Sequence, residues 1–584
     1  MPEWKLKKYD QELVDEVADN FNLSPVLAKI FIDRDLTTTE DIQQFLNPAQ
    51  QERHDPFLLK GMNKAVVRIK RAKQNDEKIT IYGDFDVDGA TSVSLLHLFF
   101  QKLGITNDYY IPDREKEGYG LSKEGIDSIK SKTSLIITCD CGITASEEVA
   151  YANQQGLDVI VTDHHTVGPE LPPAFTIINP KQKDCNYPFQ YLAGVGVAFK
   201  LAEALTQEYN LSQNYLEDLL DLVAIGTSGD IVRMEGENRI MVAQGLQKMK
   251  NTDNPGINKL TKVAGLNSDQ DISVSDIVFR VSPRLNAAGR ISSAGLAVNL
   301  LTTRSKSNAH QLAAHLEKLN SRRRSIENKT KNEALLQLKS EYDVENDKFF
   351  VLHDEDWHQG VLGIVASKLI DKFHRPTLLI SVDDEGIGVG SARSIPDFDI
   401  YQGLSECKQF LQNFGGHPRA AGLTIPCSEI SNLKEKLANI AEKEITESML
   451  SPTLEIDSVI DFNQINQSTL SFLKKLAPFG PSNMKPIFLA RNVSVSGMPK
   501  IVGKNHLKFK ATQNKIVISS IGWKMANQYE KLISNRPLDI AFVIEENKYR
   551  GMKEIQLNIK DIKYSEEASL QMESVHEKTK EHRK

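Results

Sequence analysis

Long apolar runs are what this 584-residue sequence most plainly lacks. No stretch approaches the length that a membrane-spanning helix needs, so no association with a bilayer is expected. The N-terminus, Met1-Pro2-Glu3-Trp4-Lys5-Leu6-Lys7-Lys8, is polar and carries no apolar core of a signal peptide. Cysteine is scarce: Cys139, Cys141, Cys185, Cys407 and Cys427 form an odd set without the paired motifs of a zinc site. A reducing cytoplasm is the simplest home for them. Excess positive charge is also missing, and the net charge of −7 argues against a wholesale nucleic-acid coat. That total hides a local reversal, because residues 500–563 carry about seven more Lys and Arg than Asp and Glu. Hydrophobic residues at 40% and charged residues at 26% are ordinary for globular protein, and the length calls for three or four domains.

Acidic residues and histidine are concentrated where apolar runs stop. Ile79-Thr80-Ile81-Tyr82-Gly83 leads into Asp84-Phe85-Asp86-Val87-Asp88-Gly89, and Leu135-Ile136-Ile137-Thr138-Cys139 leads into Asp140. Val159-Ile160-Val161-Thr162 leads into Asp163-His164-His165, and Leu222-Val223-Ala224-Ile225-Gly226-Thr227-Ser228-Gly229 leads into Asp230. In an open parallel sheet the carboxyl ends of strands converge on one crevice. Five or six carboxylates and two imidazoles pooled there would repel unless a divalent metal compensated them. Asp86 and Asp88, two apart, are expected to leave a strand on one face, with Asp84 one step back. The plainer alternative is an Asp-rich turn capping a helix that begins near Ala90, where an anion would also be favoured. Adjacent histidines at a strand end are rarely needed for packing, and a mixed carboxylate and imidazole set favours Mn²⁺ over Mg²⁺. Two ions a few ångströms apart would suit in-line phosphoryl displacement. Cys139 and Cys141 alternate away from Asp140 and read as buried thiols.

Residues 1–60 read as an N-terminal helical region and 61–250 as a parallel-sheet α/β domain. Residues 251–345 form a helical connector ending in one long helix over 308–342, opened by Ser307 and suited to bridging two lobes. A second α/β domain over 346–450 opens with a strand at 348–352 and includes another at 377–381. It carries Gly-containing loops at Trp357-His358-Gln359-Gly360 and at Phe414-Gly415-Gly416-His417-Pro418-Arg419. Residues 451–564 alternate like a small β-barrel, and 565–584 form a charged, disordered tail. Arg284 and Arg290 frame the small residues Asn286-Ala287-Ala288-Gly289, and Ser391-Ala392-Arg393-Ser394 places an Arg near two hydroxyls; both suit phosphate. His417 could approach a transferred phosphate or simply hold its loop. In the barrel, Phe509, Trp523 and Tyr549 accompany Lys508, Lys510, Lys548, Arg550 and Lys553, a pattern for stacking bases beside a cationic track.

These segments together resemble the DHH phosphoesterase superfamily, and within it the RecJ-type single-strand-specific exonucleases. The resemblance is carried by Tyr82 to Gly89, Asp140-Cys141-Gly142, Asp163-His164-His165 and Asp230, then by Trp357 to Ser367 and Gly415 to Gly422. It extends through Pro283-Arg284-Leu285-Asn286-Ala287-Ala288-Gly289-Arg290 and Leu476-Ala477-Pro478-Phe479-Gly480 with Asn483. It implies two Mn²⁺ or Mg²⁺ ions held by Asp86, Asp88, Asp140, His164, His165 and Asp230. Asp84 would be a further ligand or a base, and His165 and His417 would serve at the scissile phosphate. Arg114, Arg284, Arg290, Ser391 and Arg393 would contact the DNA backbone, with Lys508, Lys510, Tyr549 and Arg550 on an OB-type barrel. Thr227-Ser228-Gly229 stands where the family has an apolar pair before the Asp, which adds backbone freedom at Gly229. The implied activity is 5′→3′ hydrolysis of single-stranded DNA in repair and recombination, by a monomer partnered with helicase and single-strand-binding protein. A channel between the lobes would admit one strand. Rival readings are a DHH phosphodiesterase for oligoribonucleotides or cyclic dinucleotides, and a non-catalytic replication scaffold of the same descent.

Overall fold

The first residues do not join the helical region expected of them. In the computed structural model, which describes residues 2–114, 117–266, 271–549 and 552–566, Glu3–Leu6 form a strand, β1, paired in parallel with Thr453–Ile456. Trp4 is the reason: its ring is buried with Ile456, Leu489 and Ala541, and its Nε1 donates to Asp561 Oδ2 at 2.9 Å. Helices Gln11–Phe21, Pro25–Ile32 and Thr39–Leu46 come next, the first and third capped by Asp10 and Thr38. The chain divides into two compact units, one of residues 48–329 with 478–483, the other of residues 1–47, 330–477 and 484–584.

The unit that includes residues 48–329 holds a parallel sheet of β2 (Ile79–Gly83), β3 (Asn107–Tyr110), β4 (Leu135–Cys139), β5 (Asp158–Thr162) and β6 (Thr176–Ile178), in the order β3-β2-β4-β5-β6. The central strands are apolar and buried on both faces, as parallel strands covered by helices must be. Register brings the strand ends level. Gly83, Cys139, Thr162 and Ile178 are paired in one row across β2, β4, β5 and β6. The next residue on each strand is Asp84, Asp140, Asp163 and Asn179.

Three helices close over this row: α1 (Val87–Lys102), α2 (Gly194–Glu208) and α3 (Leu220–Gly229). The run before Asp230 is therefore a helix and not a fourth strand. It is buried at every residue from Leu220 to Ser228, so it shows no polar face and its period is hidden in the sequence. Helix α1 starts at Val87, earlier than Ala90, which removes Asp86 and Asp88 from any strand. Fully buried Lys200 anchors α2 between Glu203, Glu237 and the carbonyl of His54. Helix α4 (Ser282–Ile291) is preceded by a π-helical segment, Ile277–Val281. The long helix is α5 (Lys306–Glu341); it starts before Ser307 because Ser305 accepts from the N–H of Asn308 at 3.2 Å.

In the other unit a mixed sheet runs β10-β11-β9-β8-β7, from β7 (Phe350–Asp354), β8 (Thr377–Val382), β9 (Ile387–Arg393), β10 (Asn413–His417) and β11 (Ala420–Pro426). Helix α6 (Gln359–Phe373) is capped by His358. The Gly-containing segment 413–422 is a hairpin, β10 against β11, and not a loop. After β12 (Thr453–Ile456) and β13 (Ser458–Val459) come β14 (Phe488–Val502), β15 (His506–Gln513), β16 (Ile516–Gly522), β17 (Leu538–Tyr549) and β18 (Met552–Tyr564). Pairing of β14 with both β15 and β17 closes these five into an OB-type barrel. Among the described residues no helix is long and apolar enough to cross a membrane. The tail expected to be disordered lies, from residue 567 onward, outside the described residues.

Removing the indole that pins β1 should be costly. Trp4→Ala is expected to lower unfolding free energy by about 3–5 kcal/mol, read from urea denaturation with unchanged m-value.

Candidate metal centre

The row of residues at the strand ends and the two helix N-termini facing it build one acidic cluster. Asp86 caps α1, its Oδ1 accepting from the N–H groups of Asp88 at 2.8 Å and Gly89 at 3.1 Å. Asp88, one residue into α1 and fully buried, turns to α2 and accepts from Gly194 N–H at 2.7 Å and Val195 N–H at 2.8 Å. The turn and the metal readings of residues 84–88 thus describe the same geometry. Asp140 leaves β4 with a left-handed backbone, φ 62°, its N–H held by Thr162 O at 3.1 Å. Gly194 is obligatory beside it, because a Cβ there would sit 2.7 Å from both Cβ and Oδ1 of Asp140.

The two histidines are held differently. His164 is buried with Nε2 3.0 Å from Asp140 Oδ1, 3.6 Å from Asp230 Oδ2 and 3.9 Å from Asp88 Oδ2. Burial and the neighbouring His165 push its pKa down to about 3, so the ring is neutral. His165 is oriented by Asp163, whose Oδ1 lies 2.7 Å from Nδ1 and also accepts from the N–H of both histidines. Asp163 Oδ2 takes the N–H of Ile143 at 2.9 Å, so both its oxygens are occupied within the protein. Asp230 caps the C-terminal end of α3. Gly229 before it is not a source of freedom: a Cβ there would collide with Val87 and come 2.9 Å from Ser282 Oγ.

Three sets of donors lie close enough to hold an ion: Asp84, Asp86 and Asp140; Asp88, His164 and Asp230; and Asp140, His164 and His165, each within 4.8 Å. Burial raises the pKa of Asp84, Asp140 and Asp230 well above the carboxylate range, reinforced by their neighbours' charges. Asp88 is pushed up to about 7 by burial and by Asp86, against the two N–H groups it accepts. Asp84 Oδ1, Asp140 Oδ1, His164 Nε2 and Asp230 Oδ2 are buried and make no hydrogen bond. Buried polar atoms are ordinarily satisfied. Four unsatisfied atoms in one cluster of hard oxygen and imidazole donors fit a divalent cation.

The remaining expected residues divide between the units. Arg114 lies over the ring of Phe85, 5.0 Å from its centroid, at a small cleft of about 150 Å³ lined also by Ile111, Gly289 and Ser293. Arg290 lies in the last turn of α4, whose Gly289 packs against Phe85 O. Arg284 departs from expectation: its Nε is 2.5 Å from Glu317 Oε2 and its Nη1 donates to Arg280 O, so it braces α4 on α5 and is not open to phosphate. In the second sheet Ser391 and Arg393 sit two apart on β9, Arg393 Nη1 donating to Ser391 Oγ at 3.1 Å, in room left by Gly363 of α6. Arg393 pairs with Ala420 and Ala420 with His417, which puts the exposed His417 in the same cross-strand row. On β15 Lys508 and Lys510 are exposed, whereas Phe509, between them, is core and cannot stack a base. Trp523 is 56% exposed. Tyr549 ends β17, and Arg550 lies outside the described residues.

Comparison with known proteins decides the family. Residues 78–227 match the DHH family, N-terminal domain, residues 346–445 the DHHA1 domain and residues 456–561 the RecJ OB domain. The chain is 39% identical over 566 residues to the single-stranded-DNA-specific exonuclease RecJ of Bacillus subtilis, covering 96% of this chain and 71% of that one. It is 33% identical to the RecJ of Haemophilus influenzae over 94% of this chain and 98% of that one. This chain belongs to the RecJ family. A crystal structure of RecJ in complex with Mn²⁺ from Thermus thermophilus superposes with a TM-score of 0.82 at 26% identity, over 96% of this chain and 79% of that chain.

Against the RecJ family motif, three contributors went unrecognised in sequence. Asp163 was visible in the motif but without its role as the residue that orients His165. The N–H groups of Gly194 and Val195, which hold Asp88, carry no side-chain signal. Tyr119, between Gly118 and Gly120, donates its hydroxyl to Asp140 O at 2.9 Å and sits beside His165. Filling the space at Gly194 should displace Asp140: Gly194→Ala is expected to cost about 1–3 kcal/mol in chemical denaturation.

Proposed function

We propose that this chain is a metal-dependent exonuclease that hydrolyses single-stranded DNA from its 5′ end, in DNA repair and recombination. The observation that carries the reading is the cluster of four unpartnered buried donors at the strand ends of a RecJ-family fold. Asp86, Asp88, Asp140, His164, His165 and Asp230 would hold two Mn²⁺ or Mg²⁺ ions, with Asp84 as a further ligand or base; the overlapping donor sets support a pair. Bound there, the ions supply Lewis acidity to a phosphodiester and lower the pKa of an attacking water. The protein's part is geometric. Gly194 and Val195 N–H groups fix Asp88, Asp163 fixes the ring of His165, and Thr162 O fixes the turn at Asp140. Arg114, Arg290, Ser391 and Arg393 are the phosphate contacts, with His417 near the scissile group. Lys508, Lys510 and exposed Trp523 suit single-stranded DNA on the barrel. The free cysteines fit a reducing compartment such as the cytoplasm, and the chain would act as a monomer beside helicase and single-strand-binding protein.

The test is product analysis on a 5′-labelled single strand and its matched duplex with Mn²⁺ or Mg²⁺ supplied. Short 5′ products from the single strand alone are expected; equal rates on both substrates sink the reading. Asp140→Ala is expected to abolish hydrolysis and leave strand binding, measured by fluorescence anisotropy, largely intact.

Metal binding should also depend on pH with a definite sign. Carboxyls whose folded pKa is raised, including Asp88 at about 7, keep protons that a cation must displace. Between about pH 4, where unfolded carboxyls titrate, and the raised folded value, only the folded chain keeps the proton, so the metal-free cluster loses stability as pH rises and the loss is complete above that value. The rise in Tm on adding Mn²⁺ to chelator-treated protein is therefore expected to grow from about pH 5 to about pH 7. A constant rise across that range would refute the assignment.

A further inference from the structure

The motif Leu476-Ala477-Pro478-Phe479-Gly480 with Asn483 has no part in the metal chemistry, yet Pro478–Asn483 folds with residues 48–329. These six residues close on themselves. Gly480 and Asn483 exchange backbone hydrogen bonds of 3.0 and 2.9 Å, Ser482 is left-handed at φ 64°, and buried Asn483 donates from Nδ2 to Pro478 O at 2.8 Å. The closed loop is then held at two points. Arg239, buried in the helix Gly236–Lys250, donates from Nη1 to Pro478 O at 2.8 Å. The N–H of Met234 donates to Pro481 O at 2.7 Å, and Gly480 lies so close that a Cβ would be 2.9 Å from Met234 Cβ.

Met234 lies four residues after Asp230, and the chain between them is strained. Ile231 has φ 60°, a left-handed backbone that a β-branched residue rarely takes. Its side chain is 58% exposed, so its own packing does not hold it there. Such a conformation persists only where the surroundings over-determine it. Before the strained residue, Asp230 N–H is fixed to Gly226 O at 2.9 Å in α3. After it, the grip on Met234 is the fixed point, and Met234 itself is buried with Val242 and Val274.

We propose that the Pro478–Asn483 loop is a positioning element of the metal centre: by clamping Met234 it maintains the turn at Ile231 and keeps Asp230 Oδ2 directed at the cluster. The inference rests on the reading of Asp230 as a ligand, and its test separates the two. Mn²⁺ is titrated into the full chain without DNA, and the free ion is followed by electron paramagnetic resonance. Asn483→Ala and Gly480→Val are expected to weaken Mn²⁺ binding by about tenfold or more, in step with Asp230→Asn. Hydrolysis should recover at saturating Mn²⁺ in the loop variants, with KM for the strand unchanged. Met484→Ala, just beyond the loop and 67% exposed, should leave the titration as it is. If Asp230→Asn weakens binding while folded loop variants do not, the positioning role is overturned and the ligand assignment stands. If Asp230→Asn itself changes nothing, the ligand assignment falls. Circular dichroism checks folding, and should Gly480→Val not fold, Gly480→Ala and Asn483→Ala decide.

Discussion

Mutual repulsion among carboxylates is the constraint to which the catalytic unit is built. Two unit charges 4 Å apart interact by about 4 kcal/mol at an effective dielectric of 20. Asp84, Asp86, Asp88, Asp140 and Asp230 crowd together at about this scale. A chain left to relax would splay them. What prevents it is that none is placed by a flexible tether: Asp84 and Asp140 sit one residue beyond paired strand positions, Asp86 and Asp88 begin α1, and Asp230 ends α3. Moving any one carboxylate means moving a strand or helix that is packed at its other end.

The same requirement explains where backbone groups and glycines fall. Asp88 is the most deeply placed of the acids, and it faces the N-terminus of α2, where two free N–H groups and the helix dipole favour negative charge. Gly194 serves twice there, once as donor to Asp88 and once as the missing side chain beside Asp140. Gly226 clears space of the same kind, since a Cβ on it would come within 2.9 Å of Asp88 Oδ1. Compensation by the protein is nevertheless incomplete, and the unpartnered oxygens of Asp84, Asp140 and Asp230 mark where it stops. The raised carboxyl pKa values favour protons in that gap when no metal is bound, and a bound cation would take their place.

Much of this was legible from residue order because strands end abruptly. A five-residue apolar run followed by Asp reads the same in sequence and in space, so the acids of β2, β4 and β5 were recoverable. The route from Asp84 to Asp88 was misread, since alternation and a helical cap both place two acids near each other and only the start of α1 separates them. Helix α3 was misread for a different reason: a helix packed on every side has no amphipathic period to detect. Gly229 looked like looseness and proved to be close packing against Val87. The hairpin of β10 and β11 was taken for a loop because Gly415, Gly416 and Pro418 are turn formers, but edge strands tolerate glycine where a neighbour approaches, and Gly416, at a φ of 147°, pairs with Ala421 where a Cβ would collide with Ala420 O. Arg284 could not have been removed from the phosphate set by sequence, because its partner Glu317 is on another helix.

Chemical selectivity at the centre also depends on how β4 ends at Asp140. Cys139 and Cys141 flank Asp140 and would be soft, strong ligands if they reached the cluster. They do not: both are buried on opposite faces of the sheet, Cys139 with Leu135, Ile137 and Ile160 and Cys141 with Ile136, Val159 and Val161, because the left-handed backbone at Asp140 breaks the alternation that would have put them on one face. Burial holds the Cys139 thiol up at about 12, so it has no thiolate to offer near neutral pH. The donors left facing the cluster are carboxylate oxygens and two imidazoles, one neutral and one oriented by a carboxylate. A site of hard oxygens with few nitrogens and no sulfur lacks the thiolates of structural zinc sites and suits Mn²⁺ or Mg²⁺. The break at Asp140 thus turns both thiols into the core and leaves carboxylate and imidazole donors to the cluster.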